Sequence, residues 1–351
     1  MKKKCLIFFT VGIGDSLMVT PALENLRPFA DEFEFDALVM SSPIKDILSG
    51  NEFFNKIHFI DFLNNSSVKS FSEIIKLRKE KYDISILVFP SNHFKYQIVN
   101  FLLGGKQRYS FEYYERTFPE LYFLSQNRIK EDRNTHAVEN NYRLFEFALG
   151  IELKRTSSMK ITIDEETLKF ADKFISDNFL ENKTIIGIHA GSDVFKNMVN
   201  KRWSFQKYGD LANKFSVDEF HILLFGGKSE YKLNDKIKNI SPENSTVVKD
   251  TNFLQSCSLI NKCQCFISGD TGLMHTAAAL QVPSVNIFGP TNSIYTEPYK
   301  AEHIVTKKDH DCIPCYEYSR IPLICNQDKK YKCLENISID DVYENIIKII
   351  N

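Results

Sequence analysis

Short apolar runs alternate with segments of helical periodicity along most of the chain. Between the runs, apolar side chains recur three or four positions apart, as at Phe71, Ile74 and Leu77, and this spacing predicts helices. Strands that alternate with helices predict an α/β fold with a largely parallel sheet, covered by helices on both faces. The predicted strands cover residues 4–10, 33–40, 57–60, 82–89, 183–189, 220–225, 246–248, 265–268 and 285–288.

The pattern of strands and helices starts twice, which indicates two domains. A polar stretch and a helix at 165–178 separate the halves, and a new strand begins at residue 183. A chain of 351 residues is also longer than one hydrophobic core usually serves. We therefore place the change of domain between residues 151 and 183.

The most informative turn follows the strand predicted at 265–268. The segment from Gly269 to His275, with the sequence GDTGLMH, joins that strand to the start of a helix. The first N–H groups of a helix have no partner within the helix, and together with the helix dipole they suit an anion such as phosphate. An ordinary capped helix with a core histidine has the same local sequence, so the other motifs must decide.

Composition argues against two classes of protein. The net charge is −1 at pH 7, which provides no basic field for nucleic acid. No apolar run reaches the ~18 residues that cross a membrane. The lysines at 2–4 and the apolar run after them imitate a signal peptide, but Gly12 and Gly14 interrupt that run. With 43% apolar and 25% charged residues, the sequence predicts a soluble, cytoplasmic protein.

Four separated motifs then occur in a specific order. The first two are GIGD at 12–15 with PAL at 21–23, and HAGS at 189–192 with KRWS at 201–204. The others are the glycine pair at 226–227 with Glu230, and DTGLMH at 270–275 with FGPT at 288–291. In this order and spacing the chain resembles the bacterial heptosyltransferases, glycosyltransferase family 9, over about residues 4–340.

The resemblance implies a GT-B fold, in which two Rossmann-like domains face each other across a cleft. Residues 1–165 would form the acceptor-binding domain. Residues 166–337 would form the nucleotide-sugar domain, which includes the cysteine-rich segment 312–333. The closing helix, residues 338–351, would cross back to the first domain.

The resemblance also implies an inverting glycosyltransferase that needs no cofactor for its chemistry. Its donor would be ADP-heptose or a related nucleotide sugar, and its acceptor a lipopolysaccharide core, another glycan or a protein. Peripheral contact with the inner face of the inner membrane and formation of a homo-oligomer stay open. A GT-B-type nucleotide-sugar epimerase and a non-catalytic nucleotide-binding assembly protein are the alternatives. An NAD-dependent oxidoreductase is weaker, because GIGD has no third glycine at the usual place.

Two residues are candidates for the chemical step. By the resemblance, Asp15 is the general base that takes a proton from the acceptor hydroxyl, whereas a helix N-cap is the alternative for an aspartate here. Lys201, in the KxW pattern with Trp203, would neutralise the leaving diphosphate. A solvated surface lysine is the alternative. Lys196 is the competing alignment, and Trp203 favours Lys201.

The remaining candidates would bind the donor. Glu230 matches the family's acidic residue for ribose hydroxyls, with a helix cap as the alternative. Ser192 would donate its hydroxyl to the phosphates, and Thr271 and the glycine after it would donate backbone N–H groups. Asp270 would hold a sugar hydroxyl, and His275 would orient Asp270 or face the phosphates. The donor-binding set is Gly14, Ser192, Glu230, Asp270, Thr271, Gly272 and His275.

Eight cysteines in a cytoplasmic chain indicate thiol or metal chemistry before disulfides. Cys312, Cys315, Cys325 and Cys333 could complete a tetrahedral site for a structural zinc or iron ion. In the autotransporter branch of the resembled family, a similar four-cysteine finger holds iron, although the spacing here is shorter between the last three ligands. Four reduced structural thiols are the alternative.

Cations interleaved with aromatic residues are concentrated between residues 95 and 133. We expect part of this set to border the acceptor site and to meet phosphate or carboxylate, with a solvated surface as the alternative for each residue. The segment 109–123 is predicted to be a loop that contacts a partner. The cations are Lys95, Arg108, Arg116, Arg128, Lys130 and Arg133.

Overall fold

The structure, a computed structural model, describes residues 2–10, 12–113, 121–316, 322–327 and 331–351. The chain forms two compact units, Met1–Thr162 and Ile163–Asn351. Each unit contains a six-stranded parallel sheet with helices packed against it. The predicted α/β class with two Rossmann-like units is therefore confirmed.

The first unit has the strand order β3-β2-β1-β4-β5-β6. Its strands are nearly all apolar at the centre of the sheet, because both faces of a parallel sheet are covered. The strands are β1 (Lys3–Phe8), β2 (Phe33–Val39), β3 (Lys56–Phe59), β4 (Ile84–Leu87), β5 (Gln107–Glu112) and β6 (Asn127–Lys130). The helices are α1 (Ile13–Leu17), α2 (Thr20–Leu26), α3 (Ser42–Ser49), α4 (Ser67–Arg78), α5 (Phe94–Leu103) and α6 (Ala137–Leu149).

The second unit repeats this arrangement with the order β12-β11-β10-β7-β8-β9. Its strands are β7 (Thr184–His189), β8 (Phe220–Leu224), β9 (Ser245–Val247), β10 (Cys265–Gly269), β11 (Ser284–Ile287) and β12 (His303–Thr306). Its first helices are α7 (Glu165–Asp177), α8 (Phe205–Ala212), α9 (Tyr231–Ile240) and α10 (Phe253–Ile260). The later ones are α11 (Gly272–Ala279), α12 (Ser293–Thr296), α13 (Lys332–Glu335) and α14 (Ile339–Ile350).

Both sheets reverse their strand order beside the first strand of the unit. In the first sheet β1 lies between β2 and β4, and in the second β7 lies between β8 and β10. In the first sheet, the connections that leave β1 and β4 therefore run to opposite sides of the sheet, and in the second sheet those that leave β7 and β10 do the same. In each sheet a crevice opens at the carboxyl ends of these two strands. Ligands of open α/β sheets bind at this point. Asp15 follows β1, whereas Asp270 follows β10.

The closing helix differs from its prediction. Residues 338–351 were expected to cross back to the first domain, but α14 packs against α8, β11 and β12 of the second unit. Its buried stripe, Val342 and Ile346, belongs to a core cluster of that unit. A capping box between Ser338 and Asp341 fixes its start. The amphipathic pattern identified the helix but not the surface that it covers.

Two other segments of the first unit bear on the predictions. The GIGD motif at 12–15 is helical from Ile13, with Gly12 as the N-cap, so Asp15 lies in the first turn and is not the N-cap. The loop expected at 109–123 begins as β5, which pairs with β4 and β6. Residues 114–120, including Arg116, lie outside the described residues.

Candidate functional site

The loops at the carboxyl edge of the second sheet bring most of the predicted donor residues together. Residues 190–192 leave β7, and residues 270–271 leave the adjacent β10. A third contributor, Glu230, follows β8 on the other side of β7. The strand register thus places three distant sequence motifs around one point.

Lys201 and Asp270 form a mostly buried ion pair in this site. Lys201 Nζ lies 3.3 Å from Asp270 Oδ2, and the two side chains are 16% and 13% exposed. Burial alone would raise the pKa of Asp270, but the charges of Lys201 and His275 bring that pKa below its usual value. Asp270 is therefore an anion at neutral pH, and it holds Lys201 in place.

Trp203 fixes the position of Lys201 in the chain. Its indole is 3% exposed, and Nε1 donates to the carbonyl oxygen of Ile337 at 3.2 Å. Lys201 ends the 3-10 stretch Phe195–Lys201, two residues before this anchor. Lys196, the competing lysine, has a left-handed backbone at φ 53°, and its ammonium lies over the ring of Phe195. The site geometry thus favours Lys201 over Lys196.

His189 links Glu230 to Thr271. Its Nε2 lies 3.3 Å from Glu230 Oε2, and its Nδ1 lies 3.0 Å from Thr271 Oγ1. Burial raises the pKa of Glu230, but the hydrogen bond and charge of His189 more than offset this, so that the pKa is lowered. A Cβ on Gly191 would collide with the Glu230 carboxylate, which explains a glycine at this position.

Glu230 also shows the behaviour of a capping residue. Oε2 accepts from the backbone N–H of Gly227 at 3.0 Å, at the start of the 3-10 turn Lys228–Glu230. The carboxylate therefore caps this turn and contacts His189 at the same time. The capping and ligand-binding alternatives are compatible for this residue.

Ser192 is engaged with its own loop. Its hydroxyl donates to the carbonyl oxygen of Met198 at 2.8 Å and accepts from Arg202 Nε at 2.9 Å. Arg202 also donates to the carbonyl oxygen of Ser192 and lies 3.8 Å from Glu230 Oε1. The predicted donation from Ser192 to a phosphate would require the bond to Met198 to break. Arg202, a residue of the KRWS motif that was not predicted to bind the donor, is the cation beside Glu230.

Thr271 is the N-cap residue of α11, but its side chain does not cap the helix. The hydroxyl instead contacts His189. The next residue, Gly272, starts the helix, and His275 lies one turn further on at 3% exposure. The α11 start thus has the form of an anion site, with Lys201 nearby through Asp270.

In the first unit, Gly14 and Asp15 lie in α1, just after the central strand β1. Gly14 is buried, whereas Asp15 is partly exposed in the first turn. A Cβ on Gly12 would collide with the Asp15 carboxylate, so the carboxylate folds back over the helix start. Burial and, secondarily, the charge of Asp15 raise the pKa of Tyr96 to about 12. The charge of the Asp15 carboxylate therefore acts on Tyr96, a side chain of α5.

The four cysteines of the cysteine-rich segment line one cavity of about 390 Å³, together with His310 and other residues. The backbone N–H of Tyr331 donates to Cys325 Sγ at 3.3 Å. Among the described residues, however, no group of three or more His, Cys, Asp or Glu side chains is arranged to hold a metal ion. The thiols therefore share a cavity without converging on one point.

The same segment supports the loop that carries Lys201. The backbone N–H of Leu323 donates to the carbonyl oxygen of Lys196 at 2.9 Å. In return, Asn200 Nδ2 donates to the carbonyl oxygen of Leu323 at 3.2 Å. Leu323 is 1% exposed, so these bonds are shielded from water. The cysteine-rich segment is thus bonded to the loop that leads to Lys201.

The predicted cationic set is heterogeneous. Arg108 donates to the carbonyl oxygens of Leu124 and Gly105, which makes it a structural residue. Arg133 pairs with the buried Glu131. Arg128 is exposed on the edge strand β6, whose last residue is Lys130.

Within the described ranges, no helix is long and apolar enough to span a membrane.

The chain is similar to heptosyltransferases of glycosyltransferase family 9 in both sequence and fold. The sequence model of glycosyltransferase family 9 (heptosyltransferase) matches residues 72–322. Lipooligosaccharide heptosyltransferase 2 of Campylobacter jejuni is 28% identical, and the match covers 98% of each chain. A family 9 glycosyl transferase structure from Veillonella parvula matches with a TM-score of 0.81 and 21% identity, over 100% of this chain and 98% of the other. The structure of E. coli ADP-heptose LPS heptosyltransferase II matches with a TM-score of 0.76 and 19% identity, over the same shares.

Proposed function

The chain belongs to glycosyltransferase family 9, the heptosyltransferase family, and we propose that it transfers a heptose from ADP-heptose to a lipopolysaccharide or lipooligosaccharide core. The proposal depends on the site in the second unit. There the start of α11, which is suited to bind an anion, lies at one sheet edge with Lys201 and the buried carboxylate of Asp270. These are the groups that a nucleoside diphosphate sugar requires. The names of the similar proteins supply the sugar and the acceptor class.

The donor would bind with its diphosphate at the start of α11. The backbone N–H groups of Thr271 and Gly272 and the ammonium of Lys201 would contact the phosphate oxygens, since helix starts and lysines both bind such anions. Glu230 would accept hydrogen bonds from the ribose hydroxyls, because an ionised carboxylate is an acceptor. Asp270 would hold a hydroxyl of the sugar while it keeps Lys201 in position.

The chemical step would be a single displacement with inversion. The acceptor hydroxyl oxygen attacks the anomeric carbon, and Asp15 takes the hydroxyl proton. The bond between that carbon and the diphosphate oxygen breaks, and ADP leaves with the bonding electron pair. Lys201 would stabilise the charge that grows on the leaving oxygen. Asp15 is suited to its part because its carboxylate is partly exposed and lies just beyond the carboxyl end of β1, the central strand of the first sheet.

A transfer assay tests this function. Purified protein is incubated with ADP-heptose, with and without a lipopolysaccharide core acceptor, and free ADP and the sugar products are measured. ADP release that depends on the acceptor is the expected result. Interconversion of sugars without acceptor would instead identify an epimerase, and binding without turnover would identify an assembly protein.

The cysteine-rich segment is proposed to hold one structural zinc or iron ion. Support comes from the type of donor, four thiols, and from their shared cavity. The side chains would have to close around the ion as it binds. Four thiolate ligands leave no open position for substrate, so the ion would act on structure. Through Leu323 it would stabilise the loop before Lys201.

Cys325→Ser should therefore remove the metal, about one ion per chain, and lower the melting temperature. Donor affinity should fall with it, because the Lys201 loop loses its support. Cys263→Ser, a substitution in the core outside the cavity, should keep the metal and serves as the matched control. Elemental analysis of protein purified without added metal measures the content. A folded wild-type protein with almost no metal would mean that the cysteines are reduced structural thiols.

A further inference from the structure

His189 joins the two parts of the proposed donor site. It is the last residue of β7, between β8 and β10, and its side chain is almost completely buried. One ring nitrogen lies against Glu230, which follows β8, and the other lies against Thr271, which follows β10. The imidazole therefore connects the proposed ribose carboxylate with the proposed diphosphate site.

The contacts of His189 determine where its protons lie. Glu230 is ionised, and a carboxylate can only accept hydrogen bonds, so Nε2 must carry a proton. When the ring is neutral, Nδ1 has no proton and accepts from the Thr271 hydroxyl. That hydroxyl hydrogen is then unavailable to a ligand.

When His189 is protonated, the direction of its hydrogen bond with Thr271 is reversed. Nδ1 then donates to Thr271 Oγ1, and the hydroxyl hydrogen of Thr271 becomes free to donate to a phosphate oxygen. The imidazolium also adds a positive charge close to the anion. The charged groups around it are Glu230 and Arg202, with the Lys201–Asp270 pair on the side of α11, the helix that also carries the titratable His275.

We propose that His189 is a positioning residue that, in its protonated form, turns Thr271 into a hydrogen-bond donor for the diphosphate of the nucleotide. The proposal rests on the proposed function, since it assumes that the nucleotide binds at the second-unit site. It adds a dependence of that site on pH, because the switch requires a proton on the second ring nitrogen of His189.

The test uses ADP as the probe and isothermal titration calorimetry between pH 6 and pH 8. Wild-type protein should bind ADP more tightly as the pH falls, with roughly a three- to tenfold gain that depends on the His189–Thr271 contact. His189→Gln retains a donor near Glu230 but cannot switch Thr271, so this gain should disappear. The phosphate of ADP titrates near pH 6 as well, but it does so equally with every variant. The difference between variants is therefore the readout.

Two further variants make the result specific. Thr271→Val keeps the side-chain shape and removes the hydroxyl, so it should abolish the same pH dependence and replaces His189→Gln if that variant does not fold. His221→Gln is the matched control, because His221 makes a similar contact with Thr246, 2.9 Å from Nε2, elsewhere in the second sheet. It should bind ADP with the wild-type pH dependence.

The outcomes separate the inference from the function on which it rests. If wild-type protein does not bind ADP at any pH, the proposed donor site is wrong. If it binds ADP, and the folded His189 or Thr271 variant keeps the full pH dependence, the donor site stands and the coupling by His189 is overturned. Equal loss in His221→Gln would assign the effect to general destabilisation and would also overturn it.

Discussion

Replacing Asp15 with asparagine should lower turnover by about 100- to 10,000-fold, the usual cost of losing a general base. Asparagine keeps the size of the side chain and can still lie over the start of α1, but its amide cannot take the proton of the acceptor hydroxyl. Because the proposed donor residues other than Gly14 lie in the second unit, affinity for ADP should change little. Steady-state kinetics with ADP-heptose and acceptor, together with ADP titration, measure the two quantities.

Asp164→Asn provides the matched control for this variant. Asp164 caps α7, where its carboxylate accepts from the N–H of Thr167 at 2.8 Å, and it is not among the proposed site residues. The control should therefore change stability slightly and leave turnover unchanged. Turnover at the wild-type level in Asp15→Asn would remove Asp15 from the chemical step and leave it as a residue of the first helical turn.

The sequence pattern could predict the architecture because its central strands are strongly apolar. The runs at 4–10, 183–189 and 265–268 correspond to β1, β7 and β10, which are covered on both faces. The edge strands β3 and β9 were also predicted, at 57–60 and 246–248, but the other two edge strands, β6 and β12, were not. Strand β6 is short, with exposed polar residues, and β12 is only partly buried, so neither has a continuous apolar run.

Helix α14 shows a different limit. Its apolar stripe and its cap are local features, and both are visible in the sequence. Which sheet the stripe covers depends on the complementary surface formed by α8, β11 and β12. Periodicity contains no information about that surface, and the family expectation of a crossing helix directed the prediction to the wrong unit.

The residues of the candidate site could be predicted where a sequence motif contains them. They were harder to predict where their role depends on a contact with another side chain. Asp270, Thr271 and Lys201 were selected from motifs, and the structure brings them to one sheet edge. His189 and Arg202 belong to the same motifs but were not predicted to be site residues. Their role depends on two contacts, of His189 with Glu230 and of Arg202 with Ser192. The contact between His189 and Glu230 depends on the pairing of β7 with β8, and the contact between Arg202 and Ser192 depends on the fold of their loop. The sequence does contain one signal for His189, which is a polar side chain at the end of a predicted central strand.

Lys201→Ala should weaken donor binding and also lower turnover, by about 100- to 1,000-fold, which is typical for the loss of one group that stabilises developing charge. The ammonium would meet the diphosphate before transfer and meets more negative charge as the bond to the sugar breaks. Lys196→Ala should have a small effect in the same assays. Lys196 supports Leu323 through its carbonyl oxygen, which the substitution retains, and its ammonium lies over Phe195. The reverse order of effects would show that Lys196 is the functional lysine.

Loss of Lys201 also leaves Asp270 without its paired cation, so repulsion between Asp270 and the diphosphate could produce part of the same defect. The double variant Lys201→Ala/Asp270→Asn separates the two causes. Asparagine carries no charge, so any loss caused by repulsion should be recovered in ADP affinity. Turnover should stay low, because the leaving diphosphate still lacks its cation. Recovery of both affinity and turnover in the double variant would mean that Lys201 serves only to neutralise Asp270, and that the charge on the leaving group is stabilised by another residue, with Arg202 the nearest candidate beside Glu230.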